Sequence, residues 1–117
     1  MLYIFIAILW MHFVGDFICQ SDYHAVNKSK NSWVLLQHVA IYILPFTLLV
    51  AFTNNYQMFA MWLVLNAGLH FVTDYITSRI TSKLWQAGKR HWFFVTIGAD
   101  QSIHFTCLFL SYVWMGV

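Results

Sequence analysis

Apolar residues run almost without interruption through positions 2–20, 33–52, 58–78 and 92–115, and polar residues collect in the links 21–32, 53–57 and 79–91. The hydrocarbon core of a bilayer is about 30 Å thick and takes roughly 20 helical residues to cross. Each run has about that length. The pattern therefore predicts an all-α membrane protein, a single domain over residues 1–117 folded as a four-transmembrane-helix bundle. Pro45 falls inside the second run. A bundle tolerates it as a kink, because neighbouring helices can satisfy the carbonyl left free by the missing N–H.

Composition agrees: the chain is 61% hydrophobic and only 9% charged, whereas a soluble domain is about 25% charged. The net charge of +2 is too small and too scattered to indicate a nucleic-acid partner. The first run has no basic residues ahead of it and no small-residue cleavage site, so it is expected to stay as a span. Cys19 should lie near a helix end and Cys107 well inside another helix. A disulfide needs Cα atoms within about 7 Å, so two free thiols are expected. All the basic residues fall in two links, Lys28 and Lys30 in the first and Arg79, Lys83, Lys89 and Arg90 in the third. With four spans these links share one side, which the positive-inside rule makes cytoplasmic. Both termini then face outward, with Trp33, Trp85 and Trp92 at the inner interface.

The polar exceptions inside the runs carry the chemistry. His12-Phe13-Val14-Gly15-Asp16-Phe17-Ile18 is echoed by His70-Phe71-Val72-Thr73-Asp74-Tyr75-Ile76. A His and an Asp four apart share one helix face, one turn apart. The echo predicts a pseudo-twofold bundle, spans one and two against three and four. It is broken where span two offers only His38 and span four offers Asp100 and His104. At about 1.5 Å per residue, His12, Asp16, His38, His70, Asp74, Asp100 and His104 all come to one layer in the inner half of the membrane.

An Asp at the centre of a span costs about 2.5–3.5 kcal/mol on insertion scales. Three of them must be paired, hydrated or metal-bound. A lone intramembrane His is more often a hydrogen-bonding member of a helix interface. Four His and three Asp at one level are what a metal site in a bundle core needs, and di-metal bundles use a similar device. The plain alternative is a His–Asp network that only locks the helices together. Tetrahedral zinc takes four ligands, so this set suits two ions with an Asp bridging. Mixed His/Asp ligation favours zinc, with manganese or iron as alternatives. The absence of Glu weighs against a carboxylate di-iron site of the usual kind, and the Asp partners weigh against b-type haem.

Gln20, Asn66, Ser78 and Gln101 continue the same helix faces and are expected to support ligands or orient a substrate. For Gln20 and Ser78 the alternative is an interfacial position. Tyr42 lies one turn past His38 and could donate to an Asp. Asp22, His24, Asn27, Lys28 and Lys30 sit over the cytoplasmic mouth, where they could hold an anionic head group or simply keep the positive-inside signal. His91 is expected at the interface. No Gly-x-Ser-x-Gly, phosphate-cradling Gly loop or His-Glu-x-x-His is present.

The series His12-x3-Asp16-x3-Gln20, Asn27-Lys28, His38, His70-x3-Asp74 and Asp100-Gln101-x2-His104 resembles a domain-of-unknown-function family, DUF3307, of small bacterial and phage integral membrane proteins. The resemblance covers essentially the whole chain and implies four spans in a bacterial inner membrane. It supplies no activity. The residues themselves suggest a metal-dependent hydrolase acting on a lipid or lipid-linked phosphate or ester at the cytoplasmic leaflet. Asp16, Asp74 and Asp100 would be catalytic, one ion activating a water and the other polarising a phosphoryl or acyl oxygen. The rival is a divalent-metal transporter or metal-binding accessory. A transporter needs a continuous polar path, and the outer halves of the spans, at 4–10, 43–52 and 59–65, are mostly apolar. Homo-oligomerisation is left open.

The distribution of basic residues makes one prediction. Cysteines introduced at either terminus should react with membrane-impermeant maleimide from outside intact cells. Protection of either terminus until the membrane is permeabilised would defeat the four-span topology.

Overall fold

The computed structural model describes residues 2–117, and no strand occurs among them. Helix α1 (Leu2–Phe13) continues directly into a π-helical turn, Val14–Ile18. A short helix α2 (Asp22–Asn27), helix α3 (Ser32–Tyr42), a 3-10 segment (Leu44–Phe52) and the long helices α4 (Tyr56–Gln86) and α5 (Arg90–Met115) follow. Three helical stretches are long and apolar enough to cross a membrane: Ser32–Phe52, Tyr56–Gln86 and Arg90–Met115. Leu2–Ile18 is equally apolar but shorter.

Local chemistry sets the boundaries. Side chains of Ser21, Asn31 and Asn55 accept from the backbone N–H groups of His24, Trp33 and Met58, capping α2, α3 and α4. Gly88 and Gly116, with φ of 70° and 63°, take the left-handed conformation that ends α4 and α5. Cys19 and Cys107 are both free.

Three boundaries differ from the hydrophobic pattern. Helix α4 runs two turns beyond Ser78 to Gln86, so Arg79 and Lys83 are helical and only 87–89 join α4 to α5. Polar residues of good helix propensity extend a helix past an apolar run as readily as they end it. The first link carries α2 instead of being a plain loop. Past Pro45 the second run becomes a 3-10 segment where a kinked α-helix was expected. Proline cannot donate to the preceding turn, and a tighter helix absorbs the loss.

Helix α1 lies antiparallel to α5, with Phe5 against Phe109 and Tyr112, and His12 against Gln101. Helices α4 and α5 form a long antiparallel pair. At one end Ile8, Tyr42, Phe46, Leu49, Phe59, Trp62 and Leu108 form the apolar core. Toward the other end the buried residues turn polar: His12, Asp16, His38, His70, Asp74 and His104. The outer surface is apolar, with Leu48, Val64 and Leu110 each more than 60% exposed. That is the inside-out pattern of a chain that meets lipid.

Helices α1 and α3 meet at Gly15, where a Cβ would collide with the carbonyl oxygen of Tyr42. Only glycine allows this approach, and it occurs within the π-turn that carries Asp16. Gly15→Ala should therefore destabilise the protein by about 1–3 kcal/mol, as overpacking does. Gly68, also helical, has open space at its Cβ, so Gly68→Ala should be neutral or stabilising by up to about 1 kcal/mol. Thermal unfolding of both variants in detergent measures the contrast in Tm.

Candidate metal centre

Three elements bring four donors to one point. The π-turn supplies Asp16, α3 supplies His38, and α4 supplies His70 and Asp74 one turn apart. All four residues are at least 95% buried. His38 Nε2 lies 3.1 Å from Asp16 Oδ1, 3.2 Å from His70 Nε2 and 3.5 Å from Asp74 Oδ2. His70 Nε2 lies 3.4 Å from Asp16 Oδ1 and 3.6 Å from Asp74 Oδ2. Donors about 2.0–2.1 Å from a tetrahedral ion stand roughly 3.3–3.4 Å from one another. Five of the six edges thus bracket the length a tetrahedral ligand set requires. This group could hold a metal ion.

The remaining oxygens face further donors. Asp74 Oδ1 lies 3.5 Å from His104 Nε2, and His104 Nδ1 lies 3.4 Å from Asp100 Oδ2. Asp74, Asp100 and His104 form a second group that could hold an ion, with Asp74 shared between the two groups. His104 is buried, yet neither ring nitrogen has a hydrogen-bond partner among the described residues. An unsatisfied buried polar atom costs about 1–3 kcal/mol, so a hydrogen-bond network alone accounts poorly for this ring. Charge points the same way. Three carboxylates face one ammonium, Lys28 Nζ at 2.7 Å from Asp74 Oδ2. Where all the imidazoles are neutral two negative charges remain, which a divalent cation would offset.

Stacking fixes the orientation of His70. Its ring lies between Tyr42, at 3.8 Å between centroids, and His104, at 4.2 Å. The Nδ1 atoms of His38 and His70 have no partner among the described residues. The usual support of a metal-bound imidazole, a hydrogen bond at its other nitrogen, is here replaced by ring packing.

Gln101 organises the rest. Its amide donates to Asp16 Oδ2 at 2.9 Å and Asp100 Oδ2 at 3.0 Å, and its carbonyl accepts from His12 Nε2 at 2.9 Å. His12 Nδ1 is then left to accept from the Tyr42 hydroxyl, 3.0 Å away. Both nitrogens of His12 are thereby engaged, and His12, Asp16 and His104 also form a third group that could hold a metal ion. The Tyr42 hydroxyl serves His12 and not a carboxylate.

The structure brings His12, Asp16, His38, His70, Asp74, Asp100 and His104 together, with Lys28, Tyr42 and Gln101 around them. Gln20 and Ser78 line the adjoining cavity. Two residues go elsewhere. Asn66 donates to Ser111 and to the Trp62 carbonyl, tying α4 to α5. Asn27 donates to the Tyr23 carbonyl within its own helix. His24 pairs with Ser21 at the surface, and His91 packs against Trp92. Thr77 is an addition, its hydroxyl donating to Asp100 Oδ1 at 2.5 Å. Its signal lies in the hydroxyl run Thr77-Ser78 and Thr81-Ser82, which continues the Asp74 face of α4.

A cavity of about 520 Å³ opens over the cluster, within the range of small-molecule sites. Asp16, Asp74 and Asp100 form its floor, hydroxyls of α4 one wall, and Lys28 and Lys30 its rim.

Fold and cluster define an all-helical protein with membrane-length apolar helices and a buried His/Asp centre that could bind metal. A family model described as a protein of unknown function (DUF3307) matches residues 4–117, and the chain belongs to that family. No curated protein and no solved structure matches it.

The tetrahedral group makes a direct prediction. After loading with zinc and removal of excess, elemental analysis should find the ion in the wild type and in His24→Ala and His91→Ala. In His38→Ala and His70→Ala affinity should fall by more than the roughly 10–100-fold cost of an outer-shell change. Full retention in both cluster variants would leave only a hydrogen-bond network.

Proposed function

We propose that this protein is a membrane-embedded, metal-dependent hydrolase of a lipid or lipid-linked phosphate or ester. The observation that carries this reading is the near-tetrahedral set of Asp16, His38, His70 and Asp74 beside a cavity of mixed lining that holds carboxylates, hydroxyls and two lysines. The proposed topology has four spans, Leu2–Ile18 being the short first one, with both termini outside and a pseudo-twofold relation between helix pairs. Its support is twofold. The His/Asp pairs of α1 and α4 meet in one cluster. Helix α4, at about 46 Å by rise per residue, is long enough for the Arg79 and Lys83 end to project past the bilayer.

Zinc fits the mixed nitrogen and oxygen donors best. A divalent ion held there, with one coordination position kept for solvent, would acidify a water and polarise a phosphoryl or acyl oxygen. Asp16, His38, His70 and Asp74 would hold the ion. Asp100 is the least buried of the three carboxylates, with a side chain 13% exposed and facing the cavity. It accepts the proton of the attacking water as the oxygen bonds to phosphorus or to the acyl carbon. As the ester bond breaks, Asp100 returns that proton to the leaving oxygen. Thr77 and Gln101 keep its carboxylate aimed. Lys30, together with Lys28 shared with Asp74, would balance the charge of an anionic head group. The apolar core of Ile8, Phe46, Trp62 and Leu108 closes the far side, which supports a pocket open to one face over a transport path.

In nanodiscs with zinc, Asp100→Asn should lower turnover of phosphatidic acid or a fluorogenic ester by about 10²–10⁴-fold, the usual contribution of a general base, while the ion at Asp16, His38, His70 and Asp74 stays bound. Asp16→Ala and Asp74→Ala should lose both metal and turnover. Lys28→Ala should mainly raise KM. Zinc flux into sealed vesicles, abolished in the same Asp variants and unaccompanied by hydrolysis, would replace the enzyme with a transporter.

A further inference from the structure

A second cavity of about 270 Å³ lies between α1 and α5 and is almost wholly apolar. Leu9, Trp10, Phe13 and Phe105 line it toward the lipid-facing surface. His12 and Gln101 close its inner end, where they hydrogen-bond to each other. Phe17 and Gln101 line both this crevice and the polar cavity. The two spaces are therefore neighbours separated by one aromatic ring and one amide. Gln101 is also the residue that donates to Asp16 and Asp100.

The direction of the crevice matters. From Phe17 to Leu9 it follows α1 away from the basic end for about 12 Å, at 1.5 Å per residue. From Gln101 to Phe105 it follows α5 the same way. A lipid whose head group lies at the cytoplasmic face extends its chains along that path, toward the bilayer centre. Aromatic rings order the wall: Phe13 stacks on Phe17 at 5.7 Å, and Trp10 meets Phe13 edge-on at 5.9 Å. The walls offer no free polar group, since His12 and Gln101 are already paired, so the only chemistry they accept is hydrocarbon.

We infer that this crevice seats an acyl chain of the substrate, so that a membrane lipid reaches the metal centre sideways, its chain between α1 and α5 and its head group in the polar cavity. The inference rests on the reading of the polar cavity as a head-group site, and it narrows the substrate to a molecule with a hydrocarbon chain next to its phosphate or ester. Phe17 and Gln101 form the threshold between the two compartments.

The test uses the zinc-loaded protein in phosphatidylcholine nanodiscs containing a trace of phosphatidic acid with a diazirine on its acyl chain. After irradiation, adducts are mapped by mass spectrometry. Labelling of Leu9, Phe13 and Phe105 should exceed that of Val64 and Leu110, which are more exposed, by about tenfold, the ratio that roughly 1.4 kcal/mol of preference yields. Unlabelled phosphatidic acid should remove the excess. Leu9→Trp, which fills the crevice from a half-exposed position, should abolish labelling of Phe105 while metal content stays unchanged. Uniform labelling of the lipid-facing surface, or labelling of Phe105 unaffected by Leu9→Trp, would overturn the inference. Labelling requires no turnover, so the two readings fail separately. Crevice labelling without hydrolysis removes only the catalytic reading, and hydrolysis with uniform labelling removes only the crevice.

Discussion

Three carboxylates enclosed by apolar helices impose the central constraint on this molecule. Each would cost several kcal/mol in isolation, and each is offset by groups from other elements. Asp16 faces His38, His70 and Gln101; Asp74 faces His38, His70, His104 and Lys28; Asp100 faces His104, Thr77 and Gln101. No helix carries its own full set of partners. Sliding or rotating any one of them would leave charge exposed to hydrocarbon, so the cluster fixes the register of the bundle. Lipid tails, being as apolar as the core, provide little drive of their own for helices to choose one packing over another.

Close packing turns that constraint into a rigid site. Gly15 lets α1 approach the Tyr42 backbone, and the Tyr42 ring lies over His70. The same tyrosine donates to His12, which engages Gln101, which bonds two of the carboxylates. One residue on α3 therefore connects the backbone approach, the ring stack and the hydrogen-bond chain. An apolar core lies beyond it, and the cavity over the carboxylates opens beneath α2 and beside the hydroxyl face of α4. Electrostatic interactions strengthen where burial lowers the local dielectric, which suits both ion binding and chemistry at the floor.

The amino-acid sequence by itself determined the helical class, the apolar runs and the common level along the helices at which His12, Asp16, His38, His70, Asp74, Asp100 and His104 lie, because helical rise converts residue number directly into height. It could not determine which helix faces meet. With lipid outside and hydrocarbon side chains inside, hydrophobic periodicity barely distinguishes the two, and a layer of equal heights is compatible with many rotations. Tertiary structure alone decided that His12 spends both nitrogens on Gln101 and Tyr42 while His104, close to Asp74 and Asp100, makes no hydrogen bond through either ring nitrogen among the described residues. It turned Asn66 to Ser111 and carried Lys28 from a surface helix down to Asp74. Where α4 ends and where the second run tightens into a 3-10 segment were likewise outside the pattern, since a polar helix and a polar loop look alike in hydropathy, and proline marks a disturbance without saying how the chain absorbs it.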